Sequence, residues 1–424
     1  MPTPKLIDDC FLHDKDRLRH DEALAILKDR LVRVADAETV PLSDAKGRIA
    51  AEIVAAPRPV PAADNAAVDG YCFAHADYAA TGGFFPLAGR IAAGHPSAVP
   101  LQVGAAARIF TGAVMPGRAD TVAMQEDCEP HSQDGRDFVI IPPGLKQGAN
   151  RRKAGEDLMP GTALVDPGAL LRPQDISAVA STGAGSLACY RKLRVAILST
   201  GDEVLEPGAP FHAGAVYDAN RPLLHALLAT LPVTVSDLGI IADTPDAVRT
   251  VLREAADSHD AILTTGGASR GEEDHVITTL GALGKRHLWQ LAIKPGRPMM
   301  VGQIGDCAFL GLPGNPVAAF VCFILYVRQA LLALAGSAWQ PPRRFLLEAD
   351  FDIARKKPDR REFLRGTIVD GEDGIRRVAK FPRDGSGLIT SLREADGLIE
   401  IPEEATALAK GDPVRFLPFG EVGL

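Results

Sequence analysis

The sequence predicts a multidomain protein of the α/β plus β class, with a parallel-sheet α/β domain, a β insert before it and a small β-barrel or sandwich after it. Three changes of texture predict this. From Lys192 to about residue 336, apolar runs fit for buried strands alternate with helix-length stretches, the pattern of βαβ units. From about 60 to 145, short apolar runs are split by Gly and Pro, a strand-and-turn pattern. After Trp339 the helical signal stops and short strand-like runs take over.

In chain order, DEALAILKDRL places Leu24, Leu27 and Leu31 at helical spacing behind Asp21 as the cap. FFPLAGRIAAG, ARIFTGAV, DTVAMQ and DFVIIPPG are the expected insert strands, and helical periodicity returns around Ala169 to Ala180. LRVAILST, VTVSDLGII and DAILTTGG are the expected α/β strands, with ANRPLLHALLATL and PDAVRTVLREAADS as helices between them. RRFLLEADFDI, REFLRGTIV, GIRRVAKF, GLITSL and GDPVRFLPF read as the strands of the last domain.

At 424 residues the chain exceeds one ordinary domain, and its 46% hydrophobic and 24% charged content suits buried cores in a soluble protein. The net charge of -8, without basic runs interleaved with aromatics, argues against a nucleic-acid binder. The longest apolar stretch, Val317 to Val327, is interrupted at Arg328 and Gln329, so it reads as a core helix rather than a bilayer span. MPTPKLIDDC carries acids where a signal peptide needs an apolar core, and a cytoplasmic location is expected. Cys10, Cys72, Cys128, Cys189, Cys307 and Cys322 form no CxxC pair, so they are expected as small core hydrophobes in a reducing compartment.

Ligands of an open parallel sheet bind beyond the carboxyl ends of its strands. Two such ends here are unusual: LRVAILST runs into Gly201-Asp202-Glu203, and DAILTT runs into Gly266-Gly267-Ala268-Ser269-Arg270-Gly271-Glu272-Glu273-Asp274. The second loop reads either as an anion cradle, with glycine amides and the Ser269 hydroxyl, or as a plain turn into a helix capped by Asp274. It lacks the Gly-Lys-Ser/Thr ending of a Walker loop. Asp202, Glu203 and Asp274 suit Mg²⁺, which takes few carboxylates and shares its shell with phosphates, though acids at strand ends are also common without metal. In Lys294-Pro295-Gly296-Arg297-Pro298 a stiff turn holds two cations three residues apart, either for a compact oxyanion or as a solvated basic turn. Leu312-Pro313-Gly314-Asn315-Pro316 opens the apolar helix, where a helix N-terminus suits an anion or a packing turn. Far upstream, Asp64-Asn65-Ala66-Ala67-Val68-Asp69-Gly70-Tyr71 crowds two acids, an amide and a phenol into eight residues.

Together these segments resemble the molybdopterin molybdenumtransferase family, which includes bacterial molybdopterin biosynthesis proteins and the E domain of gephyrin. DNAAVDGY resembles the DNSAMDGY signature, TGAVMPGRADTVAMQED resembles TGAPxPxGADAVVxxE, and NRRKAGEDL resembles NxRxxGEDI. STGDEV, YDAN, TTGGASRGEEDH, KPGRP and LPGNP follow in the family's order. The likeness runs from about residue 10 to the C-terminus. Ala66, Val68, Arg118 and Arg270 depart from the residues usual at their positions.

The resemblance implies a discontinuous helical linker domain (1–58 with 147–188), a β insert (59–146), a molybdopterin-binding α/β domain (189–338) and a C-terminal β-barrel (339–424). It implies adenylylated molybdopterin and molybdate as substrates, Mg²⁺ as cofactor and AMP as leaving product. Asp69, Glu203 and Asp274 are the implied catalytic residues, and Asp202, Glu203 and Asp274 the implied metal ligands. Thr111, Gly266, Gly267, Ser269, Gly271, Lys294, Arg297, Pro313, Gly314 and Asn315 are the implied substrate-binding residues. A homodimer is implied, its cleft joining one subunit's insert to the α/β domain of its mate, with transient contacts to the adenylyltransferase that supplies the substrate and to molybdoenzymes. The alternatives are the adenylyltransferase itself, which needs neither insert nor barrel, and a non-catalytic gephyrin-like scaffold.

Overall fold

The computed structural model of the protein describes residues 17–266 and 275–424. The chain forms two compact units, one of Met1–Glu52, Pro167–Leu171 and Ala188–Leu424, the other of Ile53–Asp166 and Arg172–Leu187.

In the larger unit, α1 (His20–Arg30) does not start behind Asp21. Its first-turn capping group is Glu22, whose carboxylate accepts the Arg19 N–H at 2.9 Å, while the Asp21 carboxylate is taken by both terminal nitrogens of Arg361 at 2.9 and 3.1 Å. A partner 340 residues away overrides the local capping pattern.

The smaller unit carries a sheet of β1 (Gly70–Phe73), β2 (Phe84–Ile91), β3 (Ala106–Ile109), β4 (Thr121–Met124), β5 (Glu129–Gln133) and β6 (Arg136–Ile140), in the order β4-β1-β3-β2-β6-β5. Inward Phe73, Phe85, Val139 and Ile141 fill one face, and Ala66, Cys72, Ile109 and Val122 the other. Helix α2 (Pro173–Ser181) begins with Pro in its first turn, where no backbone N–H is required.

The α/β core of the larger unit holds β7 (Leu193–Thr200), α3 (Asn220–Leu228), β8 (Val233–Ile241), α4 (Pro245–Ser258), β9 (Ala261–Thr265), α5 (His275–Leu283), β10 (Lys285–Gln290), β11 (Ile293–Lys294), β12 (Pro298–Ile304) and β13 (Cys307–Leu312). The sheet order is β8-β7-β9-β13-β12-β10. Its first four strands are parallel, as expected, while β12 and β10 add an antiparallel edge. That edge is made by hairpins, which the helix–strand alternation upstream does not announce.

After β13 the chain runs helically without a break from Pro316 to Leu334, as α6 (Pro316–Cys322), a buried π-turn (Phe323–Val327) and α7 (Arg328–Leu334). Arg328 and Gln329 do not end it, so this 19-residue run is long and apolar enough to cross a bilayer by composition, contrary to the shorter estimate from sequence. It is 89% buried and packs in the main core with β7, β9 and β13, which makes it a core helix.

The last domain closes as a five-stranded barrel of β14 (Phe345–Ala349), β15 (Arg361–Asp370), β16 (Arg376–Lys380), β17 (Gly397–Ile401) and β18 (Pro413–Pro418), in the order β15-β16-β14-β18-β17 and back to β15. GLITSL is not one of its strands. Thr390–Arg393 is a helical turn whose buried Ser391 accepts from Arg365 Nε at 3.0 Å, and the strand falls instead at Gly397–Ile401.

At the amino edge of the α/β sheet, the buried Asp260 carboxylate accepts from Arg191 at 2.6 Å and from Arg194 at 3.0 Å. Burial alone would push this carboxyl up, but the two guanidiniums and the Arg194 N–H bring it down from 3.8 to about 2. A depressed pKa stabilises the fold above the unfolded value and loses that contribution as pH falls through the folded one. Asp260 should therefore contribute about 2 kcal/mol at neutral pH, lost between about pH 4 and pH 2. Denaturant unfolding of wild type and Asp260→Asn at pH 7 and pH 3 checks this: the gap between them should narrow on acidification.

Candidate functional site

Strands β7 and β9 pair in parallel with Ser199 opposite Thr265, so the loops after them leave the sheet side by side. Gly266 has φ +92°, and a Cβ there would lie 3.2 Å from the Thr200 carbonyl oxygen. The chain needs a bare backbone at this crossing, where the left-handed region and the neighbouring strand both exclude a side chain. The Gly266 N–H donates to Leu312 O at 3.2 Å, and Gly314 approaches Gly266 to 4.0 Å of its would-be Cβ. Gly201, Gly266 and Gly314, from three strand ends, thus share one edge.

Asp202 and Glu203 are exposed at this edge, and Glu203 Oε2 folds back beside Gly201. Pro313 is buried, Gly314 and Asn315 are exposed, and Asn315 is the residue that caps the apolar helix. Gly267, Ser269, Gly271 and Asp274 lie outside the described residues, as does Arg270. Asn220, which the sequence does not single out although it stands in YDAN, starts α3 here. It is 9% exposed and donates from Nδ2 to Gly314 O at 2.7 Å, tying the LPGNP loop to the edge.

Lys294 and Arg297 line a cavity of about 170 Å³ with Arg17, Arg360 and the rest of the Leu291–Gly296 segment. Pairing of β11 with β15 sets Lys294 opposite Glu362, and Lys294 Nζ stands 3.6 Å from Glu362 and 3.7 Å from Asp384. Arg360 also holds Glu362, at 2.9 Å. Gly296 turns the loop at φ +102° with its missing side chain against Cys322 Sγ, 2.5 Å from a would-be Cβ. Sequence reading missed Arg17 and Arg360 because neither sits in a patterned loop; only tertiary pairing brings them here.

In the smaller unit, Asp69 and Thr111 meet. Asp69 Oδ1 accepts from the Thr111 N–H at 2.8 Å and from its hydroxyl at 2.7 Å. These two hydrogen bonds, with Arg108 nearby, hold the Asp69 carboxyl below the usual range, so it is a fixed anion and a poor proton acceptor. Arg108 lies over the Tyr71 ring at 4.9 Å and the Phe110 ring at 5.1 Å. Gly70 is glycine for a steric reason: a Cβ would sit 1.8 Å from the Ala123 carbonyl oxygen across the β1–β4 pair. Asp64 ties the DNAAVDGY and NRRKAGED segments together by accepting the Ala154 N–H at 2.8 Å.

Two of the departures acquire reasons here. Ala66 is fully buried in the insert core, so the missing hydroxyl concerns packing and not the exposed Asp69 pair. Arg118 occupies the left-handed region at φ 80°, where glycine is the unstrained choice, and its guanidinium pairs with Asp77 at 2.6 Å.

Known proteins agree with this architecture. Residues 18–183 match the MoeA N-terminal region (domain I and II), 196–333 a probable molybdopterin binding domain, and 349–419 the MoeA C-terminal region (domain IV). A molybdopterin molybdenumtransferase of Haemophilus influenzae is 33% identical over 403 residues, covering 95% of this chain and 98% of that protein. The chain belongs to the molybdopterin molybdenumtransferase (MoeA) family. Another member of that name, from Nostoc, is 32% identical over 90% of this chain and 88% of its own length. The molybdopterin biosynthesis MoeA protein from Pyrococcus horikoshii superposes with a TM-score of 0.79 at 26% identity, covering 95% of this chain and 100% of that one. Membership in the MoeA family makes the chain a transferase of molybdenum cofactor biosynthesis.

Proposed function

We propose that this chain transfers molybdenum from molybdate to adenylylated molybdopterin and releases AMP. The observation that supports it most is the cavity where Lys294, Arg297 and Arg360 converge, at the loop that pairs with the barrel. Cations around a compact cavity suit a tetrahedral dianion, and glycine amides at strand ends suit a phosphate.

Two Mo–S bonds form as the two thiols displace one oxide of molybdate. That oxide leaves as water with the two thiol protons, and molybdenum keeps its oxidation state. A water molecule adds to the phosphoanhydride, whose P–O bond breaks to give AMP and the terminal phosphate of the pterin. Lys294 and Arg297 hold the oxyanion. Gly266, Gly267, Ser269, Gly271, Pro313, Gly314 and Asn315 hold the phosphate end, and Asp69, fixed by Thr111, supplies a permanent negative charge.

Asp202 and Glu203 are both exposed, with Glu203 Oε2 beside Gly201, and together with Asp274 these carboxylates would hold Mg²⁺. When bound, the ion would offset the charge of the phosphoanhydride. The working form is a homodimer in the cytoplasm, supplied by the adenylyltransferase and serving molybdoenzymes.

Matches to both the N-terminal and C-terminal MoeA regions disfavour the adenylyltransferase reading, which needs neither. AMP release from adenylylated molybdopterin, measured with and without molybdate, tests the proposal. Release that requires molybdate is expected. Binding without turnover would favour the scaffold.

A further inference from the structure

We infer that Arg17, from the N-terminal segment, is a fourth cationic ligand of the oxyanion cavity and sets its affinity for dianions. The inference rests on reading that cavity as the molybdate site. Arg17 lines the cavity with Lys294, Arg297 and Arg360, although it lies outside every motif and about 275 residues from the KPGRP loop.

Its placement is built, residue by residue. The next residue, Leu18, pairs with Leu291 as a short parallel bridge: Leu18 N–H donates to Gln290 O at 2.9 Å, and Ala292 N–H donates to Leu18 O at 2.8 Å. Backbone pairing of this kind fixes Arg17 at the mouth of the loop that carries Lys294 and Arg297. Three residues on, buried His20 meets the Tyr326 hydroxyl at 2.8 Å, and Asp21 takes Arg361 in a two-pronged ion pair. The start of α1 is therefore anchored to the core helix and to the barrel, on either side of the cavity's own scaffold.

Charge counting says why the fourth cation matters. Lys294 is shared with Glu362 and Asp384, and Arg360 with Glu362. Asp384 is offset in turn by Lys380 at 3.8 Å, so the four cations lining the cavity keep a positive excess that suits a dianion such as MoO₄²⁻. Without Arg17 that excess is smaller by one charge, which weakens the hold on a dianion more than on a monoanion. Among the described residues Arg17 has no ion-pair partner, while Lys294 and Arg360 are both shared with carboxylates.

Calorimetric titration of the purified chain with molybdate, and separately with a monoanion such as nitrate, tests this without turnover. Arg17→Ala should weaken molybdate binding about ten-fold or more and leave monoanion binding nearly unchanged. Arg17→Lys, a point charge without the planar fork, should fall between. Asp21→Asn, which loosens the anchor, should weaken molybdate binding in the wild-type background and have no further effect in Arg17→Ala. Lys294→Ala is the control. If it loses molybdate while Arg17→Ala binds like wild type, Arg17 is a surface residue and the inference falls alone. If Lys294→Ala also binds like wild type, the oxyanion reading of the cavity falls with it. Melting temperatures near wild type for all variants identify the losses as local.

Discussion

Alanine at both Lys294 and Arg297 is expected to raise the half-saturating molybdate concentration at least a hundred-fold in the AMP-release assay, with pterin binding nearly unchanged. Each charge-assisted hydrogen bond contributes about 1.5–3 kcal/mol, or about ten- to a hundred-fold in affinity. The two single variants should not be equal. Lys294 Nζ stands between Glu362 and Asp384, so its removal leaves each carboxylate one cation short, Glu362 with Arg360 and Asp384 with Lys380, before the incoming dianion. Arg297 is exposed, and its removal takes away one charge without uncovering another. Lys294→Ala should therefore be the more damaging, and more so at low salt, where exposed charges are screened least. A larger effect at Arg297 would contradict this electrostatic account. Unchanged molybdate dependence in the double variant would remove the oxyanion from this loop altogether.

The same cavity shows what the sequence makes legible and what it hides. Strand β7 could be read from LRVAILST, and β9 from DAILTT, because each carries a run of buried apolar residues, Val195–Leu198 and Ala261–Leu263. Their parallel pairing then puts Gly201 and Gly266 on one edge by topology alone. KPGRP could be singled out because its stiff turn and two cations are contiguous. Arg17 and Arg360 could not, since they reach the cavity through the Leu18–Leu291 bridge and the β11–β15 pair, which join segments hundreds and tens of residues apart. The misplaced helix cap at Asp21 has the same origin, a long-range guanidinium outcompeting a local amide. GLITSL failed for a different reason: its alternation mimics a strand, but buried Arg365 requires the Ser391 hydroxyl, and a helical turn presents it. Asn220 was visible within YDAN, yet nothing local says that its amide holds a loop 94 residues downstream.

Asp69→Asn is expected to lower turnover about a hundred- to a thousand-fold while leaving the fold intact, and the Thr111 geometry makes this substitution unusually clean. Both Thr111 donors converge on a single oxygen, Oδ1. An asparagine can keep that oxygen as its carbonyl and place the amide nitrogen where Oδ2 stood, so both hydrogen bonds survive and only the charge is lost. Loss of one preorganised electrostatic group at a reacting centre costs about 2.7–4 kcal/mol. Asp69→Ala should be no worse than Asp69→Asn if charge is what matters. Thr111→Val supplies the other half, since it keeps the backbone N–H donor but removes the hydroxyl that helps depress the Asp69 pKa. The acid limb of the rate profile belongs to a carboxylate that must be ionised, so it should lie below the ordinary carboxylate range in wild type. In Thr111→Val that limb should move up toward the ordinary range, with little change at pH 7, where Asp69 stays ionised in both. An Asp69→Asn enzyme with wild-type turnover would leave the carboxylate only the task of holding the Thr111 loop. An acid limb that does not move in Thr111→Val would show that Asp69 is not the group being titrated.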